Sequence, residues 1–334
     1  MASGAFKHKS FKRSYREDYT RDLEVPGIMY HILNTFRMIF KNWKIFLPFL
    51  LIMVVMMIGI VGLMSENTYI EIQNVIDKTA EEAGTNIGTF AKSGILLIST
   101  VFTGGLSANA SAGAGILVAL MFLIIWLVVI FVIRHKMAGN KLTLRDALYN
   151  SMSPLISTFV VLVVAIIQTI PIMLLIIAYS AAIETHFLDT PFYAFLFLVF
   201  AGLMLLLSGY LLSSTIIALV AVSAPGMYPL EALKTSSEVM AGRRIRFVLR
   251  ILALFAALAV MWFIVMMPII LFDLFMNQFE WTHFVPFVPV CLVIMSCFSG
   301  IYVSVYFYTY YRWMLKFDTK EVKNDKKRSR KKNK

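Results

Sequence analysis

The sequence predicts an all-α polytopic membrane protein: six transmembrane helices paired as three hairpins, each led by a cytoplasmic amphipathic helix, with both termini cytoplasmic. Three observations predict it. The 334 residues are 59% apolar and only 15% charged, with mean hydropathy +0.77, which leaves too little polar surface for a water-soluble chain. Six long runs have no Asp, Glu, Lys or Arg in their interior, and about 20 residues of helix cross the roughly 30 Å of bilayer hydrocarbon. Of the 31 Lys and Arg residues, 29 fall in alternate segments between those runs, and short basic segments stay on the cytoplasmic side.

In order, the spans are about Ile45–Met64, Ala114–Ile133, Leu155–Tyr179, Phe192–Val222, Ile251–Phe272 and Phe284–Tyr311. Nine Lys/Arg precede the first span, four lie between the second and third, five between the fourth and fifth, and eleven follow the sixth. The first outer connection, 65–113, has only Lys78 and Lys92, and the other two outer loops have none. The polar, basic start lacks a cleavable leader pattern, so the first span is expected to insert as an uncleaved anchor. Residues 1–27 then form a basic cytoplasmic segment, 28–315 the membrane domain and 316–334 a disordered polybasic tail.

The outer connection is the only sizeable extramembrane element. Tyr69–Glu82 carries Ile72, Val75, Ile76 and Ala80 on one helical stripe. Ile95–Phe102 is too short to cross and reads as an interfacial or re-entrant piece before the Gly104–Gly115 stretch. The long fourth run fits a tilted helix.

Short amphipathic helices precede three of the spans. Ile28–Lys44 sets Ile32, Phe36, Ile39, Phe40 and Trp43 against Asn34, Arg37, Lys41 and Lys44, the pattern of a helix lying among headgroups. Thr143-Leu-Arg-Asp-Ala147-Leu148-Tyr-Asn-Ser151 parallels Pro229-Leu-Glu-Ala232-Leu233-Lys-Thr-Ser236: each sets an Ala-Leu pair with its Ala four residues before a Ser, then leads into a span. The parallel predicts three repeated units, each a lead helix and a two-span hairpin.

Groups able to carry chemistry are few. The spans lack the acid, base or His that ion-coupled transport holds near mid-membrane, and their deepest polar side chains are Gln168, Thr169, Ser208, Ser213, Ser214 and Thr215, together with Tyr210. Gln168, Ser213, Ser214 and Thr215 read either as a polar path or, more simply, as interhelical hydrogen bonding. Gln168 lies three residues before Pro171, where a kink is expected. Small residues four apart, Gly209–Ser213, Ser296–Gly300 and Gly300–Ser304, suit close helix packing within the chain. Cys291 and Cys297 are six apart on one helix, a spacing that does not bring their sulfurs together.

The outer loops place Glu184, His186 and Asp189 in one turn and Asp273, Glu280 and His283 in another. Convergence would give ligands for a divalent metal or an acid/base pair for headgroup chemistry, whereas solvated loop tips explain the same residues without it. No spaced metal-ligand motif is present, and the sequence implies no cofactor or metal. Basic residues for anionic-lipid contact are Arg37, Lys41, Lys44, Arg243, Arg244, Arg246, Lys326 and Lys327.

This six-span plan, together with Tyr228-Pro-Leu-Glu-Ala-Leu-Lys-Thr-Ser-Ser-Glu-Val-Met-Ala-Gly242-Arg243, resembles the N-terminal membrane domain of some bacterial glycerophosphodiester phosphodiesterases and related stand-alone inner-membrane proteins. The likeness covers Ile28 to about Phe317 in architecture, but only Pro229–Arg243 in local sequence. It implies the membrane architecture alone, because these 334 residues hold no soluble catalytic barrel.

The expected function is therefore that of a non-enzymatic protein of the cytoplasmic membrane, structural or accessory, in envelope or lipid homeostasis. A channel or permease for a small neutral or amphipathic solute is the second reading, and a lipid-modifying enzyme using the outer His and carboxylates the third. The expected partner is the bilayer, anionic lipid above all, with another membrane protein or a second copy beyond it. The net charge of +12 lies almost wholly on one membrane face, which favours lipid over nucleic acid.

Overall fold

The computed structural model describes residues 27–61, 112–140, 142–185, 190–224, 226–276 and 287–332. Every regular element among them is a helix. In chain order they are α1 (Ile28–Lys41), α2 (Trp43–Val61), α3 (Ala112–Met137), α4 (Leu144–Ser151), α5 (Leu155–Gln168), α6 (Ile170–Glu184), α7 (Pro191–Ala221), α8 (Pro229–Met240), α9 (Arg244–Met276) and α10 (Phe287–Lys332). Five stretches are long and apolar enough to cross a membrane: α3, α5 with α6, α7, α9 and α10. A sixth is α2, if it counts together with α1, from which it turns by 87°.

Asn42 makes that corner. Its backbone N–H donates to the Ile39 carbonyl (3.1 Å) and its side-chain amide to the Met38 carbonyl (2.9 Å), closing the last turn of α1. Its own carbonyl accepts from Ile45 (3.0 Å) and Phe46 (3.3 Å) and so starts α2. One residue thus ends a helix lying across the span and begins the span itself.

The third expected span breaks where Pro171 requires it. Proline lacks an N–H, and its ring collides with the carbonyl one turn back. So α5 stops at Gln168, the Thr169 N–H and hydroxyl both satisfy the Ile166 carbonyl (3.0 and 2.6 Å), and α6 resumes at Ile170. Two other bounds differ from expectation. Helix α9 starts at Arg244, seven residues before the expected span, and so includes Arg246 and Arg250. Helix α10 runs on to Lys332, through the tail expected to be disordered. The tail is rich in Lys and Arg, which are good helix formers, and no Gly or Pro follows Gly300 to interrupt it.

Three units of one short helix and two longer helical stretches follow each other: α1 with α2 and α3, α4 with α5–α6 and α7, α8 with α9 and α10. Each lead helix packs on the last span of another unit, and the order closes into a ring: α4 on α3, α8 on α7, α1 on α10. The lead helices share a buried stripe at four-residue spacing, which lies on one helical face. In α4 it is Ala147 and Ser151, in α8 Ala232, Ser236 and Met240, and in α1 His31, Thr35 and Ile39. The Ala-to-Ser spacing is thus the docking face in α4 and α8, and α1 uses the same register with other residues. At α4, Thr143 accepts from the Asp146 N–H (3.3 Å) and donates to the Asp146 carboxylate, capping the first turn.

The last spans α3, α7 and α10 meet in the middle. Helix α10 packs on both others. Helices α3 and α7 are tied by the Trp126 indole N–H to the Leu219 carbonyl (3.3 Å) and by Arg134 to the Ser223 carbonyl (3.1 Å). The core follows from this: Ile125–Ile133 of α3, Ile217–Val222 of α7 and Ile301–Tyr310 of α10 hold most of the fully covered side chains. Gly300 lets α3 and α10 approach, since a Cβ there would stand 3.1 Å from the Phe122 ring. By contrast, α6 and the first part of α7 expose apolar side chains such as Ile177, Leu198 and Leu206, the surface a lipid bilayer covers.

Candidate functional site

The first polar cluster lies where α1 docks. His31 is 1% exposed, and its Nε2 is 3.2 Å from the Tyr306 carbonyl. A carbonyl only accepts, so this contact assigns the proton to Nε2. Thr309 Oγ1 lies 3.5 Å from the same nitrogen. The Tyr306 ring meets the imidazole edge-on at 4.4 Å, and Tyr310 lies at 6.0 Å. Tyr302 donates to the Ile32 carbonyl (3.1 Å), and its ring packs on Phe36 at 4.6 Å. Arg250 of α9 approaches from the far side, over the Tyr310 ring at 5.2 Å. Burial pushes the His31 pKa down to about 4, and the nearby Arg250 charge adds to that effect against the opposing Tyr306 hydrogen bond. The imidazole is therefore neutral at pH 7 and serves as a polar peg between α1 and α10.

The outward side of α1 is different. Leu33, Phe40 and Trp43 are exposed beside Arg37, Lys41 and Lys44. The apolar face expected for the headgroup layer is thus divided: Ile32 and Ile39 belong to the protein dock, while Phe40 and Trp43 face outward. Phe40 lies about 100° around the helix from Ile39, and Trp43 lies beyond the corner at Asn42, so neither keeps the phase of the docked stripe.

The second cluster joins α7, α8 and α9. The Arg244 guanidinium lies 3.8 Å from the centroid of the Tyr210 ring. It also donates to the Tyr210 carbonyl (3.3 Å) and to the Ser237 hydroxyl (3.2 Å). Tyr210 is half-exposed and Arg246 is exposed, whereas Arg243 is buried. Of the three arginines expected at the headgroups, Arg244 and Arg246 keep an outward position and Arg243 does not.

The residues considered for a polar path bond within the fold. Thr215 donates to the Gln168 side-chain oxygen at 2.5 Å, linking α5 to α7 at the break. Ser213 and Ser214 donate to their own helix, to the Tyr210 and Leu211 carbonyls. Ser208 is fully buried, and its hydroxyl has no hydrogen-bond partner among the described residues. Cys291 and Cys297 are both free thiols. His186, Asp189, Glu280 and His283 lie outside the described residues, as do the side chains of Glu184, Asp273, Lys326 and Lys327 and the segments Tyr69–Glu82 and Ile95–Phe102. Among the described residues, no group of three or more His, Cys, Asp or Glu is placed to hold a metal.

No family model, curated protein or solved structure matches the chain.

Proposed function

We propose that this multi-pass membrane protein acts as a structural or accessory component in envelope or lipid homeostasis, working through helix packing and contact with anionic headgroups. The observation that carries the reading is the two-sided α1. One face is pegged into the bundle by His31, Thr35 and Ile39, and the outward side, with the corner that follows it, offers Leu33, Phe40 and Trp43 with Arg37, Lys41 and Lys44. Exposed apolar groups flanked by cations suit the boundary of an anionic leaflet, where each basic residue near the surface contributes about 1 kcal/mol. The alternation of Lys and Arg supports a cytoplasmic-membrane location with both termini on the cytoplasmic side.

The test is the lipid that leaves the membrane with the protein. In polymer-bounded native discs, the wild type carries an excess of acidic over zwitterionic phospholipid relative to the bulk membrane. The Arg37→Gln, Lys41→Gln, Lys44→Gln triple variant lowers that excess toward the bulk ratio. A wild-type ratio equal to that of the bulk membrane overturns the reading.

A further inference from the structure

We propose that the seam between α7 and α9 is a binding site for one anionic phospholipid, its phosphate held by Arg244, with Arg246 adding charge to the same end of α9, and an acyl chain lying along the apolar walls above them. The inference deepens the lipid-contact reading but uses a surface separate from α1.

The floor of the seam is Gly209 against Val248, where a Cβ built on the glycine would stand 3.9 Å from the valine. On one side of that line the helices are sealed: Ser208 of α7 and Phe247 and Leu254 of α9 are buried. On the other side they are open. Leu203, Leu206 and Tyr210 form a stripe on α7, and Ile245, Leu249 and Leu252 form one on α9, all of them exposed. Residues three, four and seven apart share a helical face, so each stripe is continuous. Apolar walls alone define nothing more than a lipid-facing surface.

Arg244 makes the seam specific. A long cation loses conformational freedom when it is ordered, and here the cost is already met: the guanidinium is stacked on Tyr210 and tied to the Tyr210 carbonyl and Ser237. Those two hydrogen bonds engage two of the five donors of an arginine, which leaves others for a phosphate. Arg246, exposed in the same turn of α9 on the other side of the Ile245 stripe, adds a second positive charge to that end of the helix. Two positive charges fit an anionic headgroup better than a zwitterionic one.

Native mass spectrometry of the full chain, released from discs of equal phosphatidylglycerol and phosphatidylcholine, tests this. The wild type retains one phosphatidylglycerol at energies that strip the remaining lipid. Arg244→Gln reduces that adduct about tenfold, the equivalent of roughly 1.4 kcal/mol. Because Arg244 also ties three helices together, Arg246→Gln is the second variant, expected to weaken retention several-fold at unchanged melting temperature. The Arg37→Gln, Lys41→Gln, Lys44→Gln variant keeps the adduct. Equal retention of phosphatidylcholine, or wild-type retention in both Arg244→Gln and Arg246→Gln, overturns the site. Loss of the adduct in the α1 triple variant overturns it too, by moving the lipid to α1. Displacement by millimolar inorganic phosphate alone would make it a free-anion site and overturn the lipid assignment.

Discussion

His31 and Tyr306, 275 residues apart, meet where the first helix docks on the last: the imidazole Nε2–H donates to the Tyr306 carbonyl at 3.2 Å while the two rings pack edge to face. This contact closes the ring of three units, because it sets α1 on α10 as α4 sits on α3 and α8 on α7. Replacing His31 with Ala removes a buried hydrogen bond and an aromatic contact. The expected loss is about 2–4 kcal/mol, read as a lower melting temperature in nanodiscs. An unchanged melting temperature would mean that α1 is not anchored there.

The same residue gives the dock a pH dependence. His31 titrates near pH 4 when docked, against an ordinary 6.5, so the undocked state binds more protons between those values. Docking strength is complete above about pH 6.5 and falls as pH drops toward 4, by roughly 1.4 kcal/mol per pH unit at most. The difference in melting temperature between wild type and His31→Gln should shrink across that window. A constant difference from pH 7 to 4 would contradict a neutral, buried imidazole.

Two glycines should behave oppositely. A Cβ at Gly300 meets the Phe122 ring at 3.1 Å and the Ile125 side chain at 3.4 Å, so Gly300→Leu overpacks the α3–α10 contact and costs about 1–3 kcal/mol. At Gly209 the nearest atom is Val248 at 3.9 Å, an ordinary contact, and Gly209→Ala should be neutral or slightly stabilising. Thermal unfolding of the two variants side by side decides the matter. Equal effects would contradict the packing described.

Gln168 and Thr215 should be coupled in stability rather than in transport. A double-mutant cycle with Gln168→Leu and Thr215→Val is expected to return about 0.6–1.7 kcal/mol, the range for hydrogen bonds between membrane helices. Proteoliposomes carrying either variant should pass small neutral solutes at the wild-type rate. A solute flux that falls in Gln168→Leu would support a polar path instead.

Much of this architecture is legible in the sequence because hydrocarbon leaves few options. Backbone groups must be satisfied within each span, so charge-free runs locate helices, and Lys and Arg order the connections. The Ala147–Ser151 and Ala232–Ser236 spacing also marked real docking faces, since small residues four apart let one helix lie close on another. His31 escaped for a related reason. Its stripe, His31–Thr35–Ile39, repeats the register of Ala232–Ser236–Met240, but a polar residue on an amphipathic helix is ordinarily assigned to the water side. The apolar face of α1 divides because a hydrophobic pattern does not say whether protein or lipid covers it: Ile32 and Ile39 dock on protein, while Phe40 and Trp43 keep the outward position that the pattern predicts. Arg244 over Tyr210 could not be read at all. It joins positions 34 apart with α8 between them, and only the packed helices bring them together.

The most direct test of the account is the depth of α1. Spin labels are placed singly at Leu33, Phe40, Val55 and Gly59, with Cys291 and Cys297 replaced, and depth in a bilayer is read from oxygen and nickel-chelate accessibility. The account predicts that Leu33 and Phe40 report one shallow headgroup depth, while Val55 and Gly59 lie progressively deeper along α2. A steady depth gradient through Leu33 and Phe40, or full water accessibility at both, would contradict a helix lying on the membrane and pegged by His31.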